Sequence, residues 1–167
     1  MRTLIAYMST HGCTGKVVAE LGQKIEGEVV IINLRENPNP ELGSYGRVVI
    51  GGSIHVGQIQ RKVKEFCQDN LETLLQKELG LFICCMYEGG TAMQQLKDAF
   101  PEELHHAAKY EAVLGGEFDF DKMKFLEKLV VKKVAKVKES VSKIDHNAIG
   151  RFASQMNKVF NPFLFLV

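Results

Sequence analysis

The chain alternates two hydrophobic rhythms. Uninterrupted apolar runs, such as Leu4-Ile5-Ala6-Tyr7-Met8, Val29-Val30-Ile31-Ile32, Val48-Val49-Ile50 and Leu81-Phe82-Ile83-Cys84-Cys85-Met86, recur between stretches whose apolar residues fall three and four apart. The first kind reads as strands covered on both faces, the second as helices with one buried stripe. A strand over Arg2–Met8 is followed by a helix from Thr14 to Ile25, with Val17, Val18, Leu21 and Ile25 inward and Gly27 as its stop. The second strand covers Glu28–Leu34, and Asn37-Pro38-Asn39-Pro40 with Gly43 forms a loop. The third strand, Arg47–Ile50, opens into residues 51–57. A helix over Ile59–Asp69 buries Val63, Phe66 and Cys67, and Asn70 caps a short helix over Leu71–Gln76.

The fourth strand is Leu79–Met86. Thr91 caps a helix over Ala92–Phe100 that Pro101 ends, and a linker leads to a fifth strand within Lys109–Phe118. A long amphipathic helix is predicted over Asp121–Ser140, carrying Leu126, Leu129, Val130, Val134, Val137 and Val141 at helical spacing. Asp145 opens the last helix, striped by Ile149, Phe152, Met156 and Val159 and ended by Asn161-Pro162. Strands alternating with helices imply right-handed crossovers and one three-layer α/β domain over residues 1–167.

Composition narrows the class. With 167 residues and a net charge of +1, the chain carries no global field suited to nucleic acid. It has no apolar run of about 20 residues, and its start enters a strand directly, so a cytoplasmic protein is expected. Cys13, Cys67, Cys84 and Cys85 show no CxxC spacing and are expected as reduced thiols. Cys13 stands apart, because a helix N-terminus lowers a thiol pKa and favours oxidation. His105-His106 is a weak metal signal with no further ligand cluster nearby.

The chemistry gathers in loops that leave strands. Ser9-Thr10-His11-Gly12-Cys13-Thr14 joins the first strand to the first helix. A helix start presents unpaired N–H groups and partial positive charge, and the hydroxyls of Ser9, Thr10 and Thr14 add donors, so the loop suits a phosphate. The alternative is that Thr14 merely caps the helix. The loop is neither a Walker A nor a GxGxxG sequence. A second glycine-bearing segment, Gly51-Gly52-Ser53-Ile54-His55-Val56-Gly57, follows the third strand, either as a tight turn or as backbone that a flat ligand approaches closely. A third, Met86-Tyr87-Glu88-Gly89-Gly90, follows the fourth, where Tyr87 either stacks on a ring or stands half exposed. The first and third strands end in hydroxyl and glycine residues, so the acidic pocket of a phosphoacceptor module is missing.

The first loop resembles the phosphate loop of the flavodoxin family, with His11 where that pattern has Thr. Among flavodoxin-like proteins the chain looks most similar to the quinone-dependent protoporphyrinogen oxidases. That likeness rests on Gly-Gly-Ser-Ile-His-Val-Gly, a Gly-Gly pair, a cationic amphipathic helix and the final helix. The resemblance implies a three-layer α-β-α fold with a five-stranded parallel sheet in order 2-1-3-4-5. It also implies FMN held by Ser9, Thr10, His11, Gly12, Cys13 and Thr14 at the phosphate. Gly52, Ser53, Ile54, His55, Val56 and Gly57, with Met86, Tyr87, Glu88, Gly89 and Gly90, would then lie around the ring. The expected function is electron transfer between redox partners; the alternative is porphyrinogen dehydrogenation with quinone as acceptor at a membrane surface. His55 is expected to lend positive charge to the reduced flavin.

Lysines 122, 124, 128, 132, 133, 136 and 138 face three acids on the long helix. This is either an ordinary solvated face or a surface for an anionic membrane or an acidic partner. The apolar end, Phe163-Leu164-Phe165-Leu166-Val167, is expected to pack on the domain, pair two copies or touch lipid.

Overall fold

The computed structural model describes residues 1–134 and 139–159. Its elements in chain order are β1 (Arg2–Met8), α1 (Cys13–Lys24), β2 (Glu28–Asn33), β3 (Arg47–His55), β4 (Gln58–Ile59), α2 (Arg61–Asp69), α3 (Leu71–Leu74) and β5 (Glu78–Cys84). They continue with α4 (Gly89–Ala99), α5 (Glu102–Ala107), β6 (Ala108–Val113), β7 (Gly115–Phe118), α6 (Phe125–Val134), β8 (Val141–Ile144) and α7 (His146–Asn157).

The five parallel strands lie in the order β2-β1-β3-β5-β6, which is 2-1-3-4-5 when only they are counted. The register sets Met8 beside Gly52 and Ser53 beside Cys84, so β1, β3 and β5 end at one edge. One side of the sheet packs Leu4, Val48, Ile50, Leu81 and Ile83 against Val63, Phe66 and Cys67 of α2 and Ala92, Leu96 and Ala99 of α4. The other packs Ile5, Val49 and Phe82 against the α1 stripe Val17, Val18, Leu21 and Ile25, and against Ile149, Phe152 and Met156 of α7. These are the apolar spacings read from the sequence. Asp145 caps α7, its Oδ1 accepting from the Ala148 N–H at 2.8 Å. Val159 does not complete the stripe, because α7 stops at Asn157 and Val159 is exposed.

Several boundaries differ from expectation. Strand β3 runs on to His55 and turns back through Val56-Gly57 into β4, with His55 opposite Gln58. Val56 and Gly57 have φ of 48° and 75°, so this is a two-residue hairpin turn of the primed kind, not an open loop. Ile59 therefore belongs to β4, and α2 begins at Arg61. Asn70 closes α2, its amide donating to the Phe66 carbonyl at 2.9 Å, and makes no side-chain cap on α3. Helix α4 starts at Gly89 without a side-chain cap, so Thr91 is not its N-cap. The linker after Pro101 contains α5, where His105 bonds the Glu111 carboxylate and the Lys97 carbonyl.

The largest departure follows β6. The fifth parallel strand ends at Val113, ahead of Gly115-Gly116 as expected, but Gly115 adopts φ of 79° and the chain continues in a way the sequence did not suggest. A Cβ there would stand 2.0 Å from the Lys143 carbonyl oxygen, so only glycine fits. The chain leaves the sheet as β7, which pairs antiparallel with β8 in a two-stranded ribbon. Where one helix was expected over Asp121–Ser140, the structure has a turn and α6, and Val141, counted on that helix's stripe, opens β8; Val137, Lys136 and Lys138 lie outside the described residues, as do Asn161-Pro162 and the apolar end. None of the α6 residues is buried: Phe125, Leu126 and Val134 are 74%, 73% and 67% exposed.

Candidate functional site

Because β1, β3 and β5 are parallel neighbours, the segments that leave them converge on one edge. The first, Ser9–Thr14, is fixed by its own bonds. Gly12 adopts φ of 89°, a conformation that favours glycine. Its N–H donates to Ser9 Oγ at 3.0 Å, and its carbonyl accepts from the Lys16 N–H at 3.0 Å as α1 begins. The α1 N-terminus has no side-chain cap and no acid in its first turn. Thr14 is thus no cap. Its hydroxyl is buried and bonded to the Ser53 hydroxyl, which ties the first segment to the second. Thr10 alone of the three loop hydroxyl residues is exposed.

The second segment is tied again by Gln60. Its Oε1 accepts from the Ser53 N–H at 2.9 Å and its Nε2 donates to the Met8 carbonyl at 3.4 Å. Gly51 and Gly52 do not open space for a ligand. A Cβ on Gly51 would stand 2.1 Å from the Phe82 ring, and one on Gly52 2.4 Å from Gln60 Oε1, so both glycines admit core side chains. Ligand-accessible backbone lies further on, where a Cβ on Gly57, Gly89 or Gly90 would meet nothing within 4 Å. Ile54 is half-buried, and His55 and Val56 form the exposed hairpin tip. In the third segment Met86 is half-buried, Tyr87 is 50% exposed and Glu88 is exposed. The Tyr87 carbonyl accepts from Cys85 Sγ at 3.5 Å.

The ribbon supplies residues that the sequence did not single out. The turn after β7 brings the Lys122 ammonium 3.2 Å from where a Gly12 Cβ would stand. The Lys122 carbonyl accepts from His11 Nδ1 at 3.2 Å, so that nitrogen carries the proton. His11 Nε2 lies 3.4 Å from Glu127 Oε2, and the same oxygen accepts from the Lys124 N–H at 2.9 Å, fixing the first turn of α6. The His11 and His55 rings meet edge to face at 5.9 Å. Burial, and then His11, lower the His55 pKa from its ordinary value of 6.5, with Glu127 acting the other way. The direction of this shift, in the protein alone, runs against the standing positive charge expected of His55. No local sequence signal links Lys122 to Gly12; the register of the β7–β8 ribbon does.

Cys13 and Cys84 are both buried and share a hydrogen bond. It holds the Cys13 thiol below the ordinary value against burial, and pushes the Cys84 thiol well above it, burial adding to the rise. The Cys13 thiol is thus lowered as expected, the neighbouring thiol being the first cause, while its enclosure opposes the oxidation expected of it. Burial pushes Cys67 up to about 12.

The fold is that of a doubly wound α/β protein, with an acid-free helix start behind a glycine turn at the edge where β1 and β3 diverge. Residues 4–145 match the family model described as Flavodoxin domain, and the chain belongs to that family. Comparison with curated protein sequences gives no match. Oxidised Flavodoxin 2 from Bacillus cereus is similar in structure, with a TM-score of 0.55 and 20% identity, over 93% of this chain and 97% of that one. The Fusobacterium nucleatum flavodoxin bound to flavin mononucleotide has a TM-score of 0.52 and 13% identity, over 96% and 99%. The Flv1 flavodiiron core from Synechocystis has 0.53 and 14%, over 94% of this chain and 34% of its own. These likenesses show the fold. The finer resemblance to the quinone-dependent protoporphyrinogen oxidases finds no support among them.

Proposed function

We propose that this chain binds FMN and passes electrons between redox partners. The observation that carries the reading is the convergence of three segments at the ends of β1, β3 and β5, with the uncapped, acid-free start of α1 behind the first. The donor set suits a phosphate: the N–H groups of Cys13, Thr14 and Gly15 at the helix start, and the exposed hydroxyl of Thr10. Ser9, His11, Gly12 and the Thr14 hydroxyl shape the loop. Ile54–Gly57 and Met86–Gly90 flank the ring, Tyr87 being the aromatic residue placed to stack; Gly52 and Ser53 position the hairpin. Membership of the family, and a similarly folded flavodoxin that holds this nucleotide, support the choice of cofactor.

When bound, FMN supplies one- or two-electron chemistry, and the protein supplies binding, orientation and the electrostatics around the ring. His55 and the exposed tip residue Val56 would set the polarity of those surroundings. The test is a titration of the apoprotein with FMN, FAD and riboflavin, followed by flavin fluorescence. Tighter binding of FMN than of riboflavin is expected; no saturable binding of any flavin would end the reading.

A second reading rests on α6. Its exposed apolar residues beside Lys124, Lys128, Lys132 and Lys133 support contact with an anionic membrane surface, where a quinone would be the acceptor and the protein a flavoenzyme. Among the described residues no helix is long and apolar enough to cross a membrane.

A further inference from the structure

We propose that Lys122, from the turn after the ribbon, is the counter-ion of the flavin phosphate and sets the preference for phosphorylated over unphosphorylated flavin. The inference rests on the FMN reading and adds to it a residue from outside the phosphate loop.

Among the described residues two ammonium groups lie near that loop, and their commitments differ. Lys16 Nζ is 2.7 Å from Glu117 Oε1, a fully formed ion pair. Lys122 Nζ is 3.6 Å from Asp119 Oδ2, beyond the roughly 2.7–2.9 Å of a charge-assisted hydrogen bond, so its donors remain available. It also stands over the Gly12 Cα, on the side a Cβ would occupy. One bond holds the backbone at that position, His11 Nδ1–H to the Lys122 carbonyl, and His11 Nε2 lies 3.4 Å from Glu127 Oε2 on the same turn. Glycine at position 12 therefore has two reasons, its φ and the space its missing side chain leaves for the ammonium.

Electrostatics favour the role. Glu117 and Lys16 balance one another at 2.7 Å, while Asp119 and Glu127 leave negative charge beside the loop. Lys122, paired only at 3.6 Å with Asp119, is the ammonium of this group that can turn to a dianion with least loss. A unit charge about 5 Å from a dianion in a water-like dielectric changes affinity by roughly ten-fold.

The test measures dissociation constants of FMN and riboflavin for the full chain, wild type, Lys122→Met and Lys122→Arg, at low and high salt. Lys122→Met is expected to weaken FMN about ten-fold at low salt while leaving riboflavin within about two-fold, and Lys122→Arg to restore most of the FMN affinity. High salt should narrow the gap between wild type and Lys122→Met, because screening removes the same attraction. Unchanged FMN affinity in Lys122→Met, or equal loss of both flavins, would overturn the assignment while leaving the FMN reading standing. Absence of FMN binding by the wild type would remove both.

Discussion

Helices α6 and α7 have similar lengths and apolar spacings, and the structure treats them oppositely. Helix α7 buries Ala148, Ile149, Phe152, Ala153 and Met156, with Phe152 edge to face with Phe82 and Tyr110 at 6.1 and 5.6 Å. Helix α6 buries nothing. The difference lies in what each helix lies against. Helix α7 crosses the sheet beside α1 after its Asp145 cap, so its stripe meets a prepared apolar layer. Helix α6 hangs from the β7–β8 ribbon, away from both layers, and touches the rest of the molecule through polar contacts such as Glu127 to His11. An apolar stripe at helical spacing states what a helix can bury, and the surface it is laid against decides whether it does; both helices leave strands of one ribbon, and only α7 returns to the sheet.

The widest contrast is in stability. Phe152→Ala should cost about 3–5 kcal/mol, from lost burial and a residual cavity. Phe125→Ala on α6 should stay within about 0.5 kcal/mol. Chemical denaturation of the two variants measures both; a comparable loss at Phe125 would mean that its side chain is covered in the folded chain.

A second contrast concerns what α6 offers outward. Vesicles containing anionic lipid should sediment the wild type more than Leu126→Glu, and neutral vesicles should sediment neither. Equal recovery from both vesicle types would assign the face to another partner and remove the membrane reading.

The smallest effect lies at the seam between the two halves, where His55 faces His11 and Glu127. The folded chain holds a proton on His55 less well than the ordinary 6.5. As pH falls, the unfolded chain takes up that proton first. The His55 contribution to stability is thus whole above about pH 6.5 and is lost as the pH falls from there through the lower folded value. His55→Gln should flatten this part of the stability profile between about pH 8 and about pH 5.5; an unchanged slope would place the loss in other groups.

The core was legible because its signals are local. The β-branched runs and the Val17-Val18-Leu21-Ile25 stripe need only neighbouring residues to be read, and the parallel order follows from alternation and crossover handedness. The loops were legible in position, since they begin where those runs end. Their inner chemistry was not. Gly51 and Gly52 look like ligand turns until Phe82 and Gln60, at distant sequence positions, are placed against them. Thr14 looks like a cap until Ser53 reaches its hydroxyl. The Val56-Gly57 hairpin was missed because a β-branched residue at positive φ is an unusual turn former. Lys122 was counted among seven lysines of one face, and only the departure of the chain at Gly115 separates it from them.

Gln60 bonds Ser53 and Met8, and Thr14 bonds Ser53. A nucleotide arriving at these turns thus meets a surface already braced, with little ordering left to do before it can be gripped. The same bracing makes the two turns mechanically one piece, so damage at residue 60 would be felt in both.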